Sequence, residues 1–449
     1  MQDILFDFSG MLAKAIGDEH GVTADELKVV EKLVTQANIQ VSEARKAGKL
    51  HFLELPYDGE LIDELEAFRE EMKWVKTFVV LGIGGSALGA IALHHSFAHL
   101  PAMGNGVSFH CFDNVDPEEL AAFFHTVDLS TTLFNVVSKS GSTMETAAGF
   151  LYTRQELKKR FGADYTRHLV FTTSQTTGLL KDVGSSEHIR LFIHPDDVGG
   201  RFSILSIVGL FPAVFLGLDA RALLTGAARM DERCQLLFVA NPAAQFAALQ
   251  YASYALKQKN VVVMMPYSYR LKRWPEWFKQ LWGESLGKRD DRQGKEVRVG
   301  QTPTESLGTT DQHSQIQLFN FGPRDKNIVF LEVEEFSCDL TISDVPESVP
   351  ELGYLKGTSF AQLMAAEEQG TRTALRENQV ETSRIVFPVL DENVVGQFIY
   401  LMEYAAALSG ELYDINAFDQ PGVELGKDYA YALLGRSGYE HLKDRLQDA

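Results

Sequence analysis

Three ionisable side chains in this sequence are candidates for proton transfer. Glu284 lies among apolar and small residues in Gln280-Leu-Trp-Gly-Glu-Ser-Leu-Gly-Lys288, where partial removal from water would make its carboxylate a stronger general base. His313 ends the polar segment Gly308-Thr-Thr-Asp-Gln-His313, and histidine is the side chain best suited to shuttling protons near neutral pH. Lys427 follows two glycines in Asp419-Gln-Pro-Gly-Val-Glu-Leu-Gly-Lys427. Each of the three also fits an ordinary structural role.

Arg201 is a cation in an unusual position. It ends Asp197-Val-Gly-Gly-Arg201 and stands directly before the uncharged run Phe202 to Leu218, which we interpret as a buried core helix. The helix dipole disfavours a cation at a helix amino terminus. We therefore favour a buried electrostatic role for Arg201 over that of a simple surface residue.

Two small-residue loops could hold phosphate. Gly82-Ile-Gly-Gly-Ser-Ala87 meets the loose G-x-G-x-x-G/A description of a dinucleotide loop, although a ligand-free tight turn fits too. Ser138-Lys-Ser-Gly-Ser-Thr143 supplies four hydroxyls and a lysine before a helix, which suits a small phosphate monoester. A helix N-cap is the simpler explanation of this second loop, but a cap needs only one hydroxyl.

The elements around these loops alternate between apolar strand and helix, which is typical of an α/β fold with parallel sheets. The predicted strands of a first domain are Thr77–Leu81, Ser108–Phe112, Leu133–Val137, His168–Thr172 and Ile189–Ile193. A second α/β domain is predicted from a helix at Asn241–Gln258 and strands at Asn260–Met265, Gln315–Phe319, Ile328–Val333 and Arg384–Phe387. Between these, Lys288–Thr310 reads as a long functional or mobile loop.

These patterns predict four parts of the chain. Residues 1–70 form an N-terminal helical segment, residues 71–218 a first doubly wound domain, residues 219–410 a second one, and residues 411–449 a helical C-terminal segment that carries Lys427.

Composition excludes several classes of protein. The 449 residues are 45% hydrophobic and carry a net charge of −19, which disfavours nucleic-acid and membrane-surface binding. The three cysteines are far apart and predict neither a disulfide framework nor a zinc site. The N-terminus has acids where a signal peptide would carry basic residues, and no apolar run reaches the ~20 residues of a membrane helix. We therefore expect a cytoplasmic protein.

Taken in order, the six segments described first resemble the phosphoglucose isomerase family, in its compact bacterial form. These segments are Gly82–Ala87, Ser138–Thr143, Asp197–Arg201, Gln280–Lys288, Gly308–His313 and Asp419–Lys427. The resemblance runs from about Gly82 to Lys427, and the segments around Glu284 and Lys427 are its most specific parts. It implies two sugar isomerase (SIS) domains of flavodoxin-like type, a homodimer and no cofactor. It also implies reversible conversion of glucose 6-phosphate to fructose 6-phosphate through an enediolate, a step of glycolysis and gluconeogenesis.

The resemblance also implies a role for each matching position. Glu284 would move the proton between C1 and C2, and Arg201 would stabilise the enediolate. His313, from the neighbouring subunit, and Lys427 would assist ring opening. The positions that would hold the substrate are Gly85, Ser86, Ser138, Lys139, Ser140, Thr143, Gln280 and Gln420.

Two residues depart from common members of the family: Pro421 replaces a frequent Trp, and Leu286 replaces a frequent Asn or other polar residue. Three alternatives stay open. They are an isomerase that also accepts mannose 6-phosphate, a catalytically silent sugar-phosphate sensor, and a nicotinamide-dependent dehydrogenase built on Gly82 to Ala87. The sensor would be expected to lose Glu284 or His313, and the dehydrogenase leaves Glu284, His313 and Lys427 unexplained.

Overall fold

The computed structural model describes residues 3–98, 106–176 and 178–447. Its strands are β1 Leu5–Asp7, β2 Thr77–Leu81, β3 Ser108–Phe112, β4 Thr132–Val137, β5 Leu169–Ser174, β6 Arg190–His194, β7 Val261–Pro266, β8 Lys288–Asp290, β9 Glu296–Val299, β10 Thr302–Glu305, β11 Lys326–Glu335 and β12 Glu381–Val389.

The α-helices within these ranges are α1 Ala13–Ile16, α2 Ala24–Lys46, α3 Glu60–Glu71, α4 Leu88–Phe97, α5 Pro117–Thr126, α6 Met144–Phe161, α7 Leu179–Glu187, α8 Ile207–Leu216, α9 Ala220–Cys234, α10 Pro242–Ala255, α11 Trp274–Leu286, α12 Ile316–Phe321, α13 Phe360–Glu377, α14 Glu392–Leu412, α15 Glu424–Leu433 and α16 Lys443–Gln447.

The first sheet consists of parallel strands in the order β3-β2-β4-β5-β6. Its central strands are almost wholly buried because helices cover both faces of the sheet, as the sequence predicts, although β5 ends in three buried hydroxyl residues. The chain runs from β2 to β3 on one side and then returns to β4 on the other. The gap between the carboxyl ends of β2 and β4 is therefore a topological switch point, where open α/β sheets bind ligands.

The second sheet has the order β1-β12-β11-β7-β10, and its four later strands are parallel. Their order repeats that of the first sheet, with β7 and β11 flanking the reversal. The edge strand β1 is antiparallel to β12 and comes from the N-terminal segment. The predicted pair of doubly wound domains is thus confirmed, but the first seventy residues are not purely helical.

Two predictions for the second domain are wrong. Gln315–Phe319, predicted as a strand from its alternating apolar residues, lies mostly in the helix α12, which buries Phe319 and leaves Leu318 exposed. Lys288–Thr310 is not a long loop, because β8 and β9 form a hairpin and β10 joins the second sheet. The strand β10 is hard to recognise in the sequence because it contains Pro303, and proline usually argues against a strand. Proline is nevertheless tolerated in an edge strand such as β10.

Long buried helices fill the space between the sheets and the N-terminal segment. Residues 393–410 of α14 are buried on every side, and α14 packs against α2, α9, α10 and α11. The predicted core helix after Arg201 is α8, which is almost wholly buried. None of the helices in the described residues has the length and apolar character needed to cross a bilayer. The domain boundaries at residues 70, 218 and 410 stay predictions.

Candidate active site

The helix α11 fixes the position of Glu284. Its buried aromatic and aliphatic side chains, among them Trp274, Trp277 and Trp282, anchor it in the core. Its last turns pack against the turns Gly84–Ser86 and Gly200–Phe202 of the first domain. The Glu284 side chain keeps 31% of its exposure, so a substrate can reach it. Glu284 therefore lies where the two domains meet, on a rigid support.

The carboxylate of Glu284 has two side-chain partners. Gln280, one helical turn earlier, donates from Nε2 to Oε1 at 3.2 Å. Arg201 donates from Nη1 to Oε2 at 3.2 Å. Arg201 is buried, and its Nε donates to Ser285 Oγ at 2.8 Å. The orientation of the carboxylate is thus fixed from both sides.

A second set of contacts holds the guanidinium of Arg201 to the segment after α14. Nη2 donates to the carbonyl of Ala417 at 2.6 Å and to that of Asp419 at 3.1 Å. Nη1 also donates to Gln420 Oε1 at 3.0 Å. Burial lowers the pKa of Arg201, whereas the charges of Glu284 and Asp419 raise it. The cation is therefore held rigidly at the site by neutral and anionic acceptors.

The first glycine loop follows β2 and touches the chain beside Arg201. A Cβ built on Gly85 would lie 2.1 Å from the carbonyl carbon of Gly200, so only glycine permits this approach. Gly84, at φ +58°, leaves room for the Gln280 amide. The half-buried Ser86 ends this turn. Gly85 thus permits close packing within the first domain against the chain that positions Arg201, and Gly84 permits the approach of Gln280 from the second domain.

The serine-rich loop follows β4, on the other side of the switch point. Ser138 Oγ accepts from the backbone N–H of Gly141 at 3.1 Å and donates to Thr143 Oγ1 at 3.2 Å. Thr143 stands at the N-cap of α6, but its side chain makes no capping hydrogen bond. Ser140 is exposed and accepts from the backbone N–H of Ser142 at 3.2 Å. The loop therefore presents hydroxyls beside a helix amino terminus, the arrangement that binds anions.

Lys139 links this loop to the segment that precedes Arg201. Its Nζ donates to the carbonyl of Val198 at 3.2 Å. The buried ring of His194 lies beside it, and burial together with the Lys139 charge lowers the pKa of His194 to about 4. His194 is therefore neutral near pH 7, which leaves Lys139 as the cation at this end of the site.

The structure does not bring His313 or Lys427 into contact with Glu284. His313 is exposed at the end of the short turn Thr310–His313, and among the described residues its side chain takes part in no hydrogen bond or ion pair. Lys427 is exposed on α15 and pairs with Glu424 at 3.0 Å. The same helix reaches the serine-rich loop, since the Tyr431 hydroxyl donates to the carbonyl of Ser142 at 3.4 Å.

Residues that the sequence did not single out complete the site. Ser285 orients Arg201, and Gly200 accommodates Gly85. Lys288 donates to the main-chain carbonyl of Glu284 at 2.7 Å and pairs with the carboxylate of Asp419 at 3.1 Å. The four-residue spacing between Glu284 and Lys288 corresponds to one helical turn, and it could have indicated from the sequence that the two residues interact. Over the described residues, no group of three or more His, Cys, Asp or Glu side chains is arranged to hold a metal ion.

Comparison with known proteins finds a family model and relatives that match most of this chain. The family model described as phosphoglucose isomerase matches residues 62–336 and 365–442. A glucose-6-phosphate isomerase of Carboxydothermus hydrogenoformans is 40% identical over 448 residues, which covers 98% of this chain and 96% of the relative. A glucose-6-phosphate isomerase of Thermus thermophilus is 42% identical over 378 residues, covering 84% and 88%.

Solved structures of other proteins share the fold of this chain. A hypothetical protein of Thermus thermophilus superposes with a TM-score of 0.87 at 38% identity, covering 96% of this chain and 100% of its own. A glucose-6-phosphate isomerase of Chlamydia trachomatis has a TM-score of 0.81 at 24% identity, covering 94% and 89%. At that identity the second structure supports the fold alone.

Proposed function

The chain belongs to the phosphoglucose isomerase family, and we propose that Glu284 and Arg201 carry out the family's interconversion of glucose 6-phosphate and fructose 6-phosphate in this protein. The reaction is an aldose–ketose isomerisation, a step of glycolysis and gluconeogenesis. The observation that supports these two residues most directly is the 3.2 Å contact between the Arg201 guanidinium and the partly exposed Glu284 carboxylate.

The phosphate group of the substrate has a fitting site in the serine-rich loop. Ser138, Ser140 and Thr143 offer short hydroxyl donors, and the first turn of α6 offers backbone N–H groups. Lys139 adds a positive charge beside a neutral His194. Ser86, with Gly85 before it, lies in the loop after β2, the strand next to β4 on the other side of the switch point. This arrangement would place the sugar chain between the two loops and α11.

Glu284 is the proposed base. In the open-chain form of glucose 6-phosphate, its carboxylate removes the proton from C2, and the electron pair forms the C1–C2 double bond of an enediolate. After the hydroxyl proton on O2 passes to O1, the resulting carboxylic acid returns its proton to C1, and the C2–O bond becomes the carbonyl of fructose 6-phosphate. A single carboxylate on one face of the substrate serves both steps, which is worth about 10²–10⁴-fold in rate. Gln280 holds that carboxylate in place.

Arg201 is the proposed stabiliser of the enediolate. Its hydrogen bonds to Ser285, Ala417 and Asp419 fix the guanidinium before the substrate arrives. When Glu284 takes up a proton it loses its charge, and the nearest anion to Arg201 becomes the enediolate oxygen. A cation positioned in advance stabilises developing charge without reorganisation, which is usually the largest catalytic effect. Gln420, bonded to the same guanidinium, would line the site beside it.

His313 and Lys427 are the proposed groups for ring opening, within a homodimer. His313 is exposed and makes no contact with Glu284 in its own chain, which supports its action on the site of a second copy. Lys427 lies on α15, whose Tyr431 touches the serine-rich loop. This contact keeps the helix that carries Lys427 beside the proposed phosphate site. We also propose the cytoplasm as the compartment, because charged sugar phosphates do not cross membranes freely.

The test is isomerisation of fructose 6-phosphate without added metal or cofactor, with glucose 6-phosphate detected through a coupled dehydrogenase. Glu284→Gln should lower kcat by about 10²–10⁴-fold, while calorimetry should still detect binding of fructose 6-phosphate. Glu276→Gln, on the same helix, is the matched control and should keep its activity. Turnover like that of the wild type in the Glu284 variant would exclude this base. Activity on mannose 6-phosphate would then show how broad the substrate range is.

A further inference from the structure

Lys288 makes more contacts than its position at a helix end requires. Its buried ammonium donates to the carbonyl of Glu284, an ordinary way for lysine to satisfy a helix carboxyl terminus. The same ammonium also donates to the main-chain carbonyl of Asp419 and lies 3.1 Å from the Asp419 carboxylate. Asp419 is 131 residues further along the chain. Lys288 therefore connects the end of α11 to the segment after α14.

That segment is also the one that holds Arg201. The carbonyl of Asp419 accepts hydrogen bonds from both Lys288 and Arg201. Gln420, the next residue, accepts from Arg201 as well. Two buried cations thus share one acceptor, and their mutual repulsion is offset by the Asp419 carboxylate, which pairs directly with Lys288. Glu284, Arg201, Lys288 and Asp419 form one linked group of charges.

We propose that Lys288 is a positioning residue that neutralises the Asp419 carboxylate and so keeps the guanidinium of Arg201 directed at Glu284 and the enediolate. The inference rests on the proposed function of Glu284 and Arg201. It assigns Lys288 no contact with the substrate. It explains why a lysine, rather than a neutral helix cap, is buried at the end of α11.

The reason is electrostatic competition. The Asp419 carboxylate already interacts with the charge of Arg201, and without Lys288 it would be an unneutralised anion that competes with Glu284 for the guanidinium. Arg201 would then shift from Glu284 toward Asp419. A displacement of about 1 Å at a reacting centre can lower a rate by about 100-fold. The loss should fall on kcat rather than KM, since the phosphate loop is untouched.

Three variants test this inference in the fructose 6-phosphate assay: Lys288→Met, Asp419→Asn and the double variant. Lys288→Met should lower kcat by about 10–100-fold and change KM by less than about threefold. Asp419→Asn keeps the shared carbonyl and should cause a smaller loss. Adding Asp419→Asn to Lys288→Met should restore kcat to within about fivefold of Asp419→Asn alone, because the uncompensated carboxylate is gone. Lys279→Met, which removes a partly exposed lysine of the same helix that pairs with Glu305, is the matched control.

The outcomes separate the inference from the proposed function. If the wild-type protein is active and Lys288→Met has the same kcat, the inference is overturned and the proposed function is not. A double variant no more active than Lys288→Met overturns it too, since lost helix capping, not charge, would then explain the defect. If Lys288→Met is insoluble, a folded and active double variant supports the inference, and a double variant that also fails to fold overturns it. Absence of turnover in the wild type overturns the proposed function, and the inference with it.

Discussion

Gly85 and Gly200 pack backbone against backbone, closely enough that a Cβ on Gly85 would lie 2.1 Å from the carbonyl carbon of Gly200. Gly200 immediately precedes Arg201, so this contact fixes the position of the guanidinium relative to the loop after β2. The sequence pattern of the loop indicated a phosphate cradle. The structure gives its central glycine a packing role that the pattern does not reveal.

Gly85→Ala should therefore damage both stability and catalysis. The neighbouring atoms are backbone and cannot move aside, so we expect a loss of at least about 1–3 kcal/mol in the free energy of unfolding. Because Arg201 shifts with Gly200, kcat should fall more than KM rises. Gly149→Ala, in α6 with no atom within 4 Å of the new Cβ, should instead stabilise by up to about 1 kcal/mol. Urea unfolding of both variants provides the comparison, and equal stabilities would contradict the packing argument.

Lys139→Ala should weaken substrate binding more than it slows the reaction. Removal of one charge-assisted contact to the phosphate costs about 1.5–3 kcal/mol, which raises KM by about 10–100-fold. Steady-state kinetics and competition by inorganic phosphate measure the effect. Lys181→Ala, which removes only an exposed hydrogen bond to the carbonyl of Thr176, is the control. A lower kcat at unchanged KM would place Lys139 in the chemical step instead.

Mixing two inactive variants tests whether His313 acts across subunits. In a dimer of one Glu284→Gln and one His313→Ala subunit, one of the two sites would be intact if His313 enters the partner's site. Random exchange of equal amounts should then restore about a quarter of the wild-type activity. Each variant mixed with itself should stay inactive. If subunit exchange is verified by a mass tag and activity does not return, each site uses the His313 of its own chain.

His194 should make the stability of the protein depend on pH below neutrality. Burial and the nearby Lys139 charge lower the pKa of His194 to about 4, from 6.5 in the unfolded chain. The unfolded chain therefore binds more protons between these values, so the stabilising contribution is complete above pH 6.5 and is lost as pH falls toward 4. The loss amounts to about 3 kcal/mol.

The comparison is urea unfolding of the wild type and of His194→Gln between pH 4 and pH 7.5. The difference between the two curves isolates His194, because the nearby charged residues Asp196, Asp197 and Lys139 are the same in both proteins. The variant should lose less stability than the wild type in the acidic part of this range. Parallel curves would mean that the ring takes up a proton in the folded protein without cost.

Much of the site could be predicted because its motifs are local. The first glycine loop and the serine-rich loop each directly follow a buried strand. Because β2 and β4 are parallel neighbours, the two loops lie at the same edge of the sheet. The contacts of Arg201 with Ala417 and Asp419 could not be predicted, because they join residues more than 200 positions apart in the chain. Such pairs depend on the packing of whole helices, which no local pattern records.

The wrong predictions of secondary structure also arise because local sequence patterns do not record packing between distant parts of the chain. In Gln315–Phe319 the apolar residues fit the two-residue repeat of a strand, but Ile316 and Phe319 also share one face of a helix. The three-residue strand β1 is too short for any periodicity to appear. It is defined by its partner β12, through contacts such as Arg384 Nη2 to Asp7 Oδ2 at 3.0 Å.

The pairing of β1 with β12 also sets the order in which this protein can be completed during synthesis. Asp7 and Arg384 are 377 residues apart in the chain, so the first strand leaves the ribosome long before its partner exists. At about 5–20 residues per second, the interval lasts roughly 20–80 s. Throughout that time the exposed edge of the nascent chain has no strand to bind. The amino-terminal segment therefore cannot complete its native sheet contacts until translation is almost finished.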